Sequence, residues 1–477
     1  MTQTAYEGVV ETLPGSWAPP GSRPIELVFR TVGERTSDLA LELALEHIKP
    51  HRAHVVRDIR PLAVAVRRML EIDHHCSHVV YLDADCLILE DMRPFLDANE
   101  LAYVDCYVRD RFRGRTNSGV HITRIDMVRA MRAIPEPTDD LNYALRNEAH
   151  LRRIVLNQSG LRAQMKNFHI LHDHFQRYTD IFAKYAYREL RCRTEFYKKR
   201  LEVAMSGWGE GADFDVARHA VRYAASTVPP DATAEQVERY IRSLPCIAGA
   251  EVGKLGLDLS QSDQIGIEEV EKAVAADPVN LGPSPKKFKV FGVGLSRTGT
   301  RSLTEALHVL GFDTVHYPTD RATLDTLVRG DARFPLLEHY DGITDITVSP
   351  YYEDLDRAWP GSKFVLTVRD EDSWLRSCHS HWTYPWAWKK EGKGEEHRVY
   401  METQRFLEAA VYASCEFHED RFRRAYRRHV ENVTRYFAGR ADDLLVLDIS
   451  AGDGYERLAP FLGVPILCQL FPHSGRI

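Results

Sequence analysis

Apolar and polar residues alternate along this chain in two blocks, and the changes between them predict its elements. In the first block, apolar runs at Ile25 to Phe29, His54 to Val56 and His78 to Leu82 read as strands. The stretches between them, Asp38 to Ile48 and Pro61 to Ile72, carry apolar residues at helical spacing. The alternation resumes at Phe288 with a strand at 288–293, a helix near 300–310 and a strand near Thr314-Val315. Further strands follow at Lys363 to Val368 and Asp443 to Ile449. Between the blocks the texture turns polar. There Asp231 is placed to cap a helix, and "DPVNLGPSPKK" reads as a linker. The predicted class is α/β in two domains, 1–226 and 288–477, joined by a helical or irregular linker at 227–287. No internal repeat or low-complexity tract interrupts them.

Composition narrows what these domains do. With 477 residues, 44% apolar and 27% charged, the chain is long enough for two or three cores. A net charge of -7 argues against a nucleic-acid coat or a polybasic membrane patch, so any anion site must be local. The first residues lack a basic region followed by an apolar one. No later apolar run approaches the roughly 18 residues of a spanning helix, so neither export nor a membrane span is expected. Eight scattered cysteines without a C-x-x-C pair predict no disulfide framework and no zinc knuckle, and fit a reducing cytoplasm.

The stretch "FKVFGVGLSRTGTRSLTEALHVLGF", Phe288 to Phe312, reads as strand, loop and helix. Gly294 and Gly299 have the spacing of a nucleoside-triphosphatase loop, yet Thr300-Arg301 stands where that loop needs Lys and then Ser or Thr. A glycine turn feeding a helix aims backbone N–H groups and the positive helix end at one anion, with no metal required. Arg297 adds a fork of donors. A tight turn between strand and helix is the plain alternative.

A second element bears on the choice. "FVLTVRDEDSWLRS" is a buried strand ending at Arg369, with Ser377 eight residues on at the start of a helical run. In an open parallel sheet both elements would face one crevice at the carboxyl ends of the strands. Together they resemble the sulfotransferases that use 3′-phosphoadenosine 5′-phosphosulfate. The closing "LLVLDISAGDGYERLAPFLGVPILCQLFPH" is similar to the end of a bacterial branch of that family. The resemblance implies a P-loop-like parallel-sheet domain in which Ser296, Arg297, Thr298, Gly299, Thr300, Arg301 and Ser302 cradle the 5′-phosphate. It also implies that Arg369 and Ser377 take the 3′-phosphate. Arg297 departs from the lysine of the best-known cytosolic members, keeping the charge but changing donor geometry.

Sulfuryl transfer needs a base on the acceptor hydroxyl and positive charge where the leaving phosphate gains negative charge. Arg297 is placed for the second role. His316, ending the strand in "FDTVHYP", is the first choice for the base, and Asp345, in "GITDITVSP", is the second. The alternative for His316 is a packed or solvated histidine at a strand end. His379 and His381 read as acceptor-site or surface residues. Trp382, Trp386 and Trp388 read as an aromatic contact surface or a packed lid.

In the first block, "HVVYLDADCLILEDMRPFL" delivers Asp83 and Asp85 at a strand end, where alternation would turn both carboxylates toward one divalent cation. With "RTNSGVHITR" downstream, this resembles the D-x-D signature of GT-A type glycosyltransferases. The resemblance implies a nucleotide-sugar donor, Mn2+ or Mg2+, and a third ligand from His169, His172 or His174, of which His172 is preferred. A catalytically silent domain that docks the acceptor is the alternative.

The expected function is a cytoplasmic two-domain transferase that adds a sugar and a sulfate to a glycan, glycolipid or glycosylated small molecule, with no nucleic-acid partner. Two other readings stay open: a single-activity sulfotransferase with an N-terminal acceptor-binding module, and a kinase acting through the Arg297 loop.

Overall fold

The computed structural model of the protein describes residues 8–137, 140–159, 161, 163–257, 264–284, 288–384, 394–467 and 469–473. The chain forms two compact units. The first comprises Met1–Ala163, Phe168–Pro283 and Cys468–Leu470, and the second Gln164–Asn167, Ser284–Leu467 and Phe471–Ile477.

The first unit is built on an eight-stranded sheet. Its strands are β1 (Val9–Thr12), β2 (Ile25–Thr31), β3 (Arg52–Arg57), β4 (His78–Asp83), β5 (Cys86–Ile88), β6 (Tyr103–Asp110), β7 (Gly114–Arg124) and β8 (Gln164–His172), the last belonging to this unit from Phe168 onward. They lie in the order β1-β3-β2-β4-β7-β6-β8-β5. β2 pairs in parallel with both β3 and β4, while β4 and β7, and β7 and β6, run antiparallel. The parallel neighbours follow from the helices Ser37–Ile48 and Leu62–Glu71, which carry the chain back between them. Enclosed in this way, β2 is buried along its length except at the half-buried Arg30.

A second apolar cluster in this unit joins the helices Tyr178–Arg191, Ala212–Thr227 and Ala234–Gly253 through Phe182, Tyr185, Ala220, Val237, Tyr240 and Leu244. Residues 227–283, the stretch that changes texture, thus lie within the first unit. The helix Ala234–Gly253 starts at Thr233 and not at Asp231. Thr233 Oγ1 accepts from the Gln236 N–H at 3.3 Å and Gln236 Oε1 accepts from the Thr233 N–H at 2.9 Å, a reciprocal cap that Asp231 lacks the partner to make. Within "DPVNLGPSPKK" the turn Pro278–Leu281 is helical, capped by Asp277.

The second unit holds β9 (Val290–Gly292), β10 (Thr314–His316), β11 (Gly342–Thr344), β12 (Lys363–Thr367) and β13 (Leu444–Leu447), all parallel, in the order β10-β11-β9-β12-β13. From β9 the chain goes to β10 and β11 on one side and then to β12 and β13 on the other. The loop after β9 therefore sits where strand order reverses, the place where open parallel sheets bind ligands. Phe291, Phe364, Leu366, Trp374, Tyr412 and Phe422 form the core around this sheet.

The described cysteines are free, and Cys468 lies outside the described residues. Among the described residues no helix is long and apolar enough to cross a membrane.

Candidate functional site

Because all five strands of the second unit are parallel, the loop after β9, His316, Asp345 and Arg369 leave the sheet at one edge. The loop is shaped by close approach. A Cβ on Gly294 would stand 1.9 Å from Thr367 Oγ1 and 2.8 Å from Thr298 Oγ1, so only glycine fits. Those two hydroxyls meet at 2.6 Å, and Thr298 spends its proton on the Leu295 carbonyl at 2.6 Å, so Thr367 is the donor to Thr298. Gly299 has φ 105° and begins the helix Thr300–Val309. Arg297 holds φ 72°, a region that costs a residue other than glycine about 1–3 kcal/mol. Its side chain is anchored, with Nε donating to Ser377 Oγ at 3.1 Å.

Asp345 ties these parts together. It follows β11 directly and is 4% exposed. Its Oδ1 accepts from Ser296 Oγ at 2.5 Å and from the Ile346 N–H at 2.6 Å. Its Oδ2 accepts from Thr300 Oγ1 at 2.7 Å and lies 3.0 Å from His316 Nε2. Burial pushes this carboxyl up, but the hydrogen bond and charge of His316, with the Ser296 and Thr300 hydroxyls, hold it well below the usual carboxylate range. An ionised carboxylate held by these partners orients the loop, the helix start and His316 together.

Arg369, just past β12, is held by its backbone: its N–H donates to the Tyr426 hydroxyl at 2.9 Å, and that hydroxyl donates to the Arg369 carbonyl at 2.5 Å. Its Nε donates to Ser373 Oγ at 3.0 Å. Ser377 lies inside the helix Glu371–Thr383 and not at its start, one turn beyond Ser373. The structure thus joins Ser377 to Arg297, and Arg369 to Ser373. Ser302 is buried in the first turn of its helix, and Arg301 is exposed.

The sequence pattern did not single out Trp374, whose Nε1 donates to the Ser296 carbonyl at 2.9 Å. Thr367 and Tyr426 were likewise missed. A hydroxyl ending an apolar strand was the available signal for Thr367. Trp382 packs on Tyr412 and Phe422, with ring centroids 5.5 and 5.1 Å away, and so belongs to the core. Trp386 and Trp388 lie outside the described residues. His379 is exposed beside the Phe417 ring, and His381 is half-buried beside Trp382.

In the first unit, Asp83 and Asp85 part company. β4 stops at Asp83, so strand alternation does not carry on to Asp85. Asp83 takes the guanidinium of Arg30, its register partner on β2, with Nε at 2.8 Å from Oδ1. Asp85 is buried and shares the Lys184 ammonium with Asp173. His172, at the end of β8, stands 3.6 Å by Nε2 from Asp85 Oδ1 and 2.8 Å by Nδ1 from Asp110 Oδ2. Arg113 Nε donates to the same Asp110 oxygen at 3.0 Å.

Burial opposes the charge on Asp85, Asp110, His172 and Lys184, and their partners overcome it. Lys184 and His172 keep the Asp85 carboxyl well below its usual range, while Asp173, Asp85 and Asp110 raise the His172 imidazole. Of the other two histidines, His169 Nε2 meets the Leu281 carbonyl at 2.6 Å, and burial lowers His174 to about 4. The donor set suits a cation. Atoms of Asp85, Cys86 and His172 lie within 4.8 Å of one another, as do those of Asp110, His172 and Asp173. Asp173 Oδ2 is buried with no hydrogen-bond partner. At present the Lys184 ammonium supplies the positive charge between Asp85 and Asp173.

Residues 289–476 match the family model described as sulfotransferase domain. The protein called Ava biosynthesis cluster protein M, from Aspergillus versicolor, is 31% identical over 110 residues, covering 20% of this chain and 42% of that protein. The chain therefore spans less than half the length of that curated relative. The solved glycosyltransferase GlyE of Streptococcus pneumoniae TIGR4 aligns over 75% of this chain and 89% of its own. Its identity is 13% and its TM-score 0.20, too low to carry a likeness of fold.

Because the folded-state pKa of Asp345 is depressed, the carboxylate's contribution to stability is fully present above the unfolded value of about 4 and is lost as pH falls below it. Urea midpoints of the wild type and Asp345→Asn, measured from pH 7 down to pH 3, should differ most near neutrality and converge on acidification. A constant difference across that range would contradict the role given to the ionised carboxylate.

Proposed function

We propose, from the sulfotransferase-domain match over residues 289–476, that the second unit transfers a sulfuryl group from 3′-phosphoadenosine 5′-phosphosulfate to a hydroxyl of a glycan, glycolipid or glycosylated small molecule. The observation that carries this reading is the convergence of the glycine loop, His316, Asp345 and Arg369 at the carboxyl edge of one parallel sheet. Loop residues Ser296 to Ser302 receive the 5′-phosphate, and Arg369 and Ser377 receive the 3′-phosphate. Donor binding then exchanges the Arg297–Ser377 hydrogen bond for phosphate oxygens.

In the reaction the acceptor oxygen forms a bond to sulfur, and the bond from sulfur to the bridging phosphate oxygen breaks. The released electron pair stays on the nucleotide's 5′-phosphate. Arg297 and the loop N–H groups meet that growing charge. His316 takes the acceptor's proton, and Asp345, at its Nε2 side, stabilises the resulting imidazolium.

For the first unit we propose glycosyl transfer from a nucleotide-sugar. Mn2+ or Mg2+ would be held by Asp85 and His172, aided by Asp173, with Asp83 acting through Arg30 at the same strand end. When bound, the cation would neutralise the nucleotide diphosphate. A second reading is favoured by Lys184, which already fills the space between Asp85 and Asp173: the first unit binds the acceptor and the chain is a sulfotransferase alone. The free cysteines among the described residues fit action in a reducing compartment such as the cytoplasm.

Asp85→Asn should remove manganese-dependent sugar transfer while leaving sulfate transfer to a supplied acceptor within a few-fold, as measured by the two assays on one folded preparation. Equal loss of both activities would count against separate sites, and absence of sugar transfer by the wild type across a broad donor panel would favour the second reading.

Arg297→Ala should lower kcat for sulfate transfer by about 10²–10³, the size of losing one charge-stabilising donor, with a smaller change in donor affinity. Arg369→Ala should mainly raise the donor KM, because the 3′-phosphate is remote from sulfur and its contact is alike in ground and transition states. Steady-state kinetics of both variants decide the matter: an Arg297→Ala effect confined to KM, or an unchanged donor KM in Arg369→Ala, would show the two arginines misassigned.

A further inference from the structure

The first unit contains another buried group of metal-type donors, apart from Asp85 and His172. Glu26, the second residue of β2, is 2% exposed, His54 on the neighbouring β3 is 3% exposed, and His74, between the helix Leu62–Glu71 and β4, is 4% exposed. The parallel register places Glu26 opposite Arg52 and Val28 opposite His54, so period-two alternation turns Glu26 and His54 to the same face. One oxygen, Glu26 Oε2, stands 3.2 Å from His54 Nε2 and 2.5 Å from His74 Nδ1. The three donor atoms lie within 4.8 Å of one another.

The surroundings of these atoms hold them in place. Glu26 Oε1 accepts from the His75 N–H at 2.9 Å, which orients the carboxylate. His54 Nδ1 lies 2.9 Å from the hydroxyl of Thr12 on the edge strand β1. That hydroxyl can accept an Nδ1 proton and leave the Nε2 lone pair directed at the cluster, as the outer partner of a ligating histidine does. His74 Nε2 has no hydrogen-bond partner, so its Nδ1 side is what fixes the ring.

We propose that Glu26, His54 and His74 form a structural site for a divalent cation of the zinc type. Two imidazoles and a carboxylate are borderline donors suited to that ion; three protein ligands leave the fourth tetrahedral position to a water, and the burial of all three residues is what gives the site a structural role. Bonds near 2.0–2.1 Å in a tetrahedron give ligand–ligand edges of about 3.3 Å. The 3.2 Å separation of His54 Nε2 from Glu26 Oε2 fits that edge, and the 2.5 Å separation at His74 has to open by under about 1 Å to reach it. The ion would pin β2, β3 and the segment leading into β4 to one point, and β1 would join through Thr12.

The test uses the full chain, stripped with a chelator and titrated back with Zn2+, with bound metal measured by mass spectrometry after desalting. The wild type should retain zinc stoichiometrically. Thr12→Val, a change at an exposed edge position, should weaken binding by about 10–100-fold. His54→Gln with His74→Gln should abolish retention while the circular dichroism spectrum stays that of the folded protein, and His172→Gln, in the other cluster, should retain zinc. The proposal is overturned if the folded wild type retains no zinc, if Thr12→Val binds as the wild type does, or if His172→Gln alone removes the metal. Should the double variant not fold, Thr12→Val and His172→Gln decide the question between them.

Discussion

A single buried carboxylate organises the candidate site of the second unit. Asp345 reaches the glycine loop through Ser296, the first turn of the following helix through Thr300 and the end of β10 through His316. Burying a lone carboxylate costs several kcal/mol, so the charge persists only because hydroxyls, an N–H and an imidazole surround it. The dependence runs both ways. The loop backbone, with Arg297 in a left-handed conformation, keeps its shape because its neighbours are tied to this carboxylate. Trp374 closes the arrangement from the other side by holding the Ser296 carbonyl, and its fully buried ring also belongs to the core. Core packing and anion-loop geometry therefore share one residue.

The first unit follows similar physics with different groups. Asp85, Asp110 and Asp173 are buried carboxylates compensated by Lys184, His172 and Arg113, and Glu26 is compensated by two histidines. Both clusters sit on strands of one sheet or just beyond their ends, where rigid backbone holds donors at fixed spacing. They differ in the group that meets the carboxylate: a lysine ammonium at Asp85, and imidazole nitrogens at Glu26.

Much of the fold was legible because it rests on local pattern. The three strand runs of the first block, the helices between them and four strands of the second block, β9, β10, β12 and β13, each declare themselves by periodicity, and the structure forms them with ends shifted by a few residues, whereas the three-residue β11 was not predicted. The glycine loop was legible for the same reason. What the pattern missed is long-range or depends on where a strand stops. Trp374 meets Ser296 from 78 residues away and Tyr426 meets Arg369 from 57, separations that leave no periodic trace. Asp83 and Asp85 were expected to share a face, but β4 ends at Asp83 and the turn sends Asp85 to Lys184. Asp231 and Thr233 are both capping residue types, and only Thr233 has Gln236 three residues on to complete the cap.

The central claim is that the loop after β9 and Arg369 bind the two ends of one nucleotide carrying a 3′-phosphate. The most direct measurement is the thermal unfolding midpoint of the full chain with adenosine 3′,5′-bisphosphate and with ATP at matched concentrations. Whichever ligand binds the native state more tightly raises the midpoint further. The account predicts a clear rise with adenosine 3′,5′-bisphosphate, larger than that with ATP and independent of added magnesium. A larger, magnesium-dependent rise with ATP, or no response to the bisphosphate, would contradict it.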